Sequence, residues 1–115
     1  MSLFGSFWIR AFAVEPEVTI NNQWSNRYTV VEVSGLDRPG LLYELTATLS
    51  KLNLNIASAH VATFGERAVD VFYVTDLMGA KISSPTRNAA IKRALIQVFT
   101  PQQEARASQR VVAAQ

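Results

Sequence analysis

The sequence has 115 residues, 49% of them hydrophobic, which suits one domain with a core of its own. It contains no Cys and a single His, so disulfides and thiolate chemistry are excluded, a zinc centre is short of ligands, and a reducing, cytoplasmic compartment fits. The net charge of +2 comes from scattered Lys and Arg and argues only weakly for a polyanionic partner.

The chain opens with the apolar stretch "MSLFGSFWIRAFA". It lacks a basic n-region, so it does not read as a signal peptide, and no run approaches the roughly 20 apolar residues of a membrane span. Leu3, Phe4, Phe7, Trp8, Ile9 and Phe12 suit contact with a neighbouring domain or chain, or a loose tail. Residues 1–16 are taken as an extension or linker, 17–99 as the domain and 100–115 as a tail.

Val18–Ile20 is a short β-type run, and the turn-rich "NNQWSN" after it makes a hairpin into Arg27–Val33 plausible. In Arg27–Val33, Thr29, Val31 and Val33 alternate with Tyr28, Val30 and Glu32, the pattern of a strand with two distinct faces. Leu41, Leu42, Leu45, Leu49 and Leu52 then form one helical stripe, with Pro39 expected at its first position. The Asn53–Asn55 segment stops that helix, because Asn tolerates the left-handed cap. Ile56–Phe64 is a strand in which Ala59, Val61 and Thr63 share a face; Ile56 is off that register, so a bulge or late start is expected. Gly65-Glu66 suits a type II′ hairpin, and Val69–Thr75 is apolar on both faces. A second helix opens near Ser84-Pro85-Thr86, carries Ile91, Leu95, Val98 and Phe99, and stops at Thr100-Pro101.

The order β-β-α-β-β-α contains a ferredoxin-like unit lacking its last strand. The hairpin would put the N-terminal strand in that place, unless Val111-Val112 supplies it. The fold class is α+β: a four-stranded antiparallel sheet with two helices on one face. Two helices leave the other face, with Val30, Val69, Val71, Tyr73 and Tyr28, open to a further unit of the same kind, which could also pair with the edge strand Ala57–Phe64.

The candidate site is the strand-to-helix turn "LDRPGLL". Backbone amides at a helix start are unpaired and can receive a carboxylate, and Gly40 removes a side chain there. Asp37 or Asn55 could take an ammonium or amide. The alternative is that Asp37 caps the helix, Pro39 starts it and Gly40 allows tight packing. Asp37, Arg38, Pro39, Gly40 and Leu41 are candidates on one wall. Asn55 and Ile56 are candidates on the other, on the expectation that the start of their strand adjoins the Asp37 loop; a helix-stop Asn is the alternative. Arg38 reads as a solvated or interface charge.

Other chemistries find little support. His60, Asp70 and Ser58 lack the G-x-S-x-G elbow of a hydrolase. Asp37, Asp70 and Asp76 fall on separate elements without cation-loop spacing. Gly35 and Gly40 form no phosphate loop. An RNA-binding sheet needs aromatics on one face, whereas Phe72 and Tyr73 are neighbours on opposite faces. No catalytic residue, metal or cofactor is assigned.

The stretch from Val30 to Ile82 resembles an ACT domain. The pieces "AFAVEPEVTINN", "DRPGLLYELT", "GERAVDVFYV" and "DLMGAKI", in that order, are similar more narrowly to the C-terminal regulatory ACT domains of the bifunctional uridylyltransferase/uridylyl-removing enzymes that modify PII proteins. The similarity runs from about Ala11 to Phe99; Met1–Arg10 departs from it, and the catalytic parts of those enzymes are absent. The resemblance implies a ferredoxin-like ACT fold and no catalysis by this piece. It implies an amino-acid ligand, glutamine, near the first strand-to-helix loop, often between two ACT units, and a link to PII protein through a parent enzyme. The alternative is an ACT-fold dimerisation or signal-transmission module without a ligand.

Overall fold

The computed structural model describes residues 14–100. The elements are β1 (Glu17–Asn21), β2 (Thr29–Leu36), α1 (Leu41–Lys51), β3 (Leu54–Phe64), β4 (Arg67–Asp76) and α2 (Pro85–Gln97). The strands form one antiparallel sheet in the order β1-β2-β4-β3. β1 therefore lies where the last strand of a ferredoxin-like sheet would lie, as the hairpin pattern implies. Val111-Val112, the apolar N-terminal residues and the C-terminal tail lie outside the described residues.

Alternation decides which side chains meet the helices. Val18 pairs with Val33 and Ile20 with Val31; Val31 pairs with Phe72 and Thr29 with Val74. These positions share the face packed by Leu41, Leu45 and Leu49 of α1 and by Ile91 and Leu95 of α2. Leu45, Leu49, Leu95 and Phe72 are inaccessible to water. Truncating any of them to Ala costs about 2–5 kcal/mol. Thr29, also buried, donates to Asn22 Oδ1 at 2.5 Å and accepts from the Ile82 N–H at 2.9 Å, so its hydroxyl remains satisfied. Gly35 is fixed by close approach: a Cβ there would stand 2.5 Å from the Phe99 ring.

Among the described residues, the opposite face carries no helix. Tyr28 and Tyr73 meet edge-to-face at 6.2 Å, and His60 meets Tyr73 at 5.5 Å, giving an aromatic row across the sheet. Val30, paired with Tyr73, is buried on this face, while Val69, Val71 and Tyr73 remain half-covered.

β3 is an edge strand that outruns the helical layer. Its register shifts between Ile56 and Ser58, the expected bulge, although the strand begins earlier, at Leu54. From Ala57 to Phe64 every residue is exposed. Asn53 takes a left-handed φ of 62° after α1, the stop its sequence position suggests. Gly65 opens the β3–β4 turn with φ 62°.

Candidate ligand-binding loop

The loop between β2 and α1 is held at its base. The Asp37 N–H donates to the Glu66 carbonyl at 2.8 Å, joining the loop to the β3–β4 turn. The residue before α1 is Gly40, left-handed at φ 80°, with no side-chain hydrogen bond to the helix start. This overturns the capping alternative: Asp37 caps nothing, and Pro39 precedes the cap residue instead of starting the helix. A Cβ at Gly40 would meet nothing within 4 Å, so its glycine answers to φ and not to tight packing. Leu41 N–H reaches Arg38 O at 3.2 Å and Glu44 N–H reaches Gly40 O at 3.0 Å. The amides of Leu42 and Tyr43, between them, have no acceptor among the described residues. The helix thus presents unpaired N–H groups and its positive end beside open space.

Arg38 is less solvated than expected. Its guanidinium pairs with Glu44 in the first turn of α1 and donates to the Val98 carbonyl at 2.9 Å, at the end of α2. One cation therefore ties the start of one helix to the end of the other, where the dipole favours positive charge. The hydrogen bond from Arg38 holds the Glu44 carboxyl below its ordinary pKa. Arg38 positions the loop; its donors face the protein.

Asp70 sits on β4 three residues from Arg67, which pairs with Leu36 at the start of this loop. It pairs with Val33 on one side and Val61 on the other, on the helix-facing row with Ala68 and Phe72. It is 4% exposed. Burial, reinforced by the nearby Asp37 charge, raises its pKa. The signal was in the alternation of "AVDVFYV": Asp70 shares parity with Phe72, so an acid falls at a core position.

Asn55 and Ile56 are not brought to the loop, contrary to expectation. α1 carries the chain back down the sheet, so β3 starts at the far end: Asn55 pairs with Thr75, whereas Phe64 and Leu36 both pair with Arg67 beside Asp37. Asn55 Nδ2 instead lies 3.5 Å from the Asp76 carbonyl. His60 pairs with Val71 on the open face, opposite to Asp70, so these two cannot act together.

Two clefts flank the loop. One of about 200 Å³ is lined by Val14, Pro16, Leu36, Arg38 and Phe99; the other, about 410 Å³, lies between the helices along Tyr43, Glu44, Lys51 and Gln97. Neither is lined by Asp37 or Gly40, and a Cβ at Gly40 would face open space.

The family model for the ACT domain matches residues 29–82, from the first residue of β2 to the segment before α2. The chain is similar to the bifunctional uridylyltransferase/uridylyl-removing enzymes of Rhodopseudomonas palustris (79% identity over 91 residues, 79% of this chain and 10% of that protein) and Bradyrhizobium diazoefficiens (80% over 90 residues, 78% and 10%). That of Nitrobacter hamburgensis is 74% identical over 95 residues, 83% of this chain and 10% of that protein. The chain thus spans about a tenth of the length of these curated relatives. Among solved structures it is similar to an unknown protein from Galdieria sulphuraria, with a TM-score of 0.45 and 24% identity over 57% of this chain and 37% of that one. No helix among the described residues is long and apolar enough to cross a membrane.

Proposed function

We propose, from the premise that residues 29–82 are an ACT domain, that this chain is the glutamine-sensing regulatory part of a cytoplasmic uridylyltransferase/uridylyl-removing enzyme acting on PII protein. The observation that carries the ligand reading is the start of α1. Gly40 leaves it uncapped, Leu42 and Tyr43 offer free amides, and the space beside them is empty. An amino-acid carboxylate suits those amides, and Asp37 suits its ammonium group. Ligand binding would act by favouring one arrangement of the domain over another, a shift felt by catalytic domains elsewhere.

The open surface calls for a second wall. Antiparallel pairing of β3 with another ACT unit, centred on Ala59, would set Asn55 of the partner subunit opposite Thr63, next to the Asp37 loop. Asn55 and Ile56 then belong to the site across an interface and not within one chain. The exposure of Ala57–Phe64 and the half-covered aromatic row also favour a second reading, an association module without a ligand.

Calorimetry of the chain with glutamine and a panel of amino acids separates the two. Saturable glutamine binding, weakened by Asp37→Ala and by Gly40→Val, supports the sensor. A folded dimer giving no heat with any amino acid refutes it and leaves the association module.

A further inference from the structure

We infer that Asp70 is a second recognition residue of the loop site, the partner of the ammonium group of an amino acid held at the start of α1; this deepens the amino-acid-binding reading above and rests on it. Four observations converge. Asp70 is 4% exposed, and no described residue donates a hydrogen bond to its carboxylate, whose oxygens still touch solvent. A largely desolvated carboxylate without a protein donor is uncommon in native proteins. Its position along β4 is two residues from Ala68, which pairs with Gly35 just before the Asp37 loop. Its row is closed on the β2 side by buried Val33 and open on the β3 side, where Ala59, Val61 and Thr63 are exposed. Finally, Asp37 is close enough for its charge to act on Asp70.

The chemistry follows from the shape of an α-amino acid. Its carboxylate and ammonium leave the same carbon, so a carboxylate on the Leu42 and Tyr43 amides holds the ammonium within a few ångströms of the helix start. That cation needs acceptors on the strand side. Asp37 is one from the loop; Asp70 is the other, reached along the uncovered rows of β3. A cation between them also relieves the mutual repulsion of two acids. The partial desolvation of Asp70 without a protein partner is then offset by its ligand.

The test uses glutamine and glutaramic acid, which is glutamine without its α-amino group. The 115-residue chain and its Asp70→Asn variant are titrated with each by calorimetry, and their thermal midpoints are compared. The wild type is expected to favour glutamine by at least about tenfold, the scale of one charge-assisted hydrogen bond. Asp70→Asn should lose most of that preference while its midpoint stays at or above the wild-type value, because a buried charge has been removed without a change of shape. Should that variant misfold, Asp70→Ser provides the same comparison. A variant that retains both affinity and preference overturns the role of Asp70 and leaves the loop site standing. A wild type that binds both compounds equally overturns it too. A wild type that binds neither defeats the loop reading and this inference with it.

Discussion

Helix α2 starts with Ser84, whose Oγ accepts from the Arg87 N–H at 3.3 Å, and Pro85 follows in the first turn, where an N–H is not needed. Helix α1 starts with a left-handed glycine and no side-chain cap. Both helices pack on the same face of the same sheet, so packing alone does not explain the difference. α2 closes its start with its own side chains and needs nothing from outside. α1 leaves its amides free, places Asp37 near them without using it as a cap, and carries Glu44 in its first turn where α2 has no acid. A helix start that is stable without its cap is one held by its surroundings. Here these are the Asp37–Glu66 bond below and the Arg38 bridge above. Such a start is free to receive a ligand.

The largest effect should come from forcing an ordinary residue into the α1 start. Gly40→Val meets no steric clash, so its cost is the left-handed backbone alone, about 1–2 kcal/mol. Urea unfolding should show this loss, and Gly40→Asn should recover most of it, because Asn tolerates that conformation. Equal losses for Val and Asn would mean that the left-handed geometry is not what selects glycine.

The next experiment reverses the two starts. Ser84→Ala should cost about 1 kcal/mol through the lost cap and leave glutamine binding unchanged. Asp37→Ala should alter unfolding by no more than about 0.5 kcal/mol, since it caps nothing, while weakening glutamine binding. A stability loss at Asp37 equal to that at Ser84 would erase the contrast.

A smaller effect concerns Asp70. Its raised pKa means that the folded chain holds this proton to higher pH than the unfolded chain does. Stability should therefore fall as pH rises from the ordinary aspartate range through the raised value, and remain lower above it. Asp70→Asn should remove that decline from a series of thermal melts between about pH 4 and 7.

Sequence patterns carried the architecture well, and the reasons are local. The leucines of α1 repeat at helical spacing, Ser84-Pro85 is a complete start signal, and the parity of Phe72 and Tyr73 assigns both faces of β4. The placement of Asn55 differs from expectation because the direction of β3 follows from the return of α1, a long-range fact that a residue pattern does not contain. Gly40 was legible as a turn glycine, but whether Asp37 capped the helix depended on a rotamer. Asp70 could have been found: an acid in step with Phe72 falls on the core side.

The finest test of the contrast is the Arg38 bridge at the start of α1; at the start of α2, Arg87 reaches instead to the end of α1, donating to the Leu52 and Asn53 carbonyls at 3.2 Å. The hydrogen bond from Arg38 lowers the pKa of Glu44. Stability from this pair is therefore present above the ordinary glutamate range and lost as pH falls through the lowered value, the opposite direction from Asp70. Arg38→Met keeps much of the aliphatic stem and removes the charge. It should abolish the Glu44 component of the acid-side decline while leaving the Asp70 component at higher pH. Glu44 is partly open to solvent, so the shift in midpoint should be small and should shrink as salt is added. The informative readout is the carbonyl of Val98: with its guanidinium partner gone, amide exchange should rise in the last turn of α2 as well as at the start of α1. Faster exchange at α1 alone would show that the two helices are not joined through this residue, and that the loop is held by its base at Glu66.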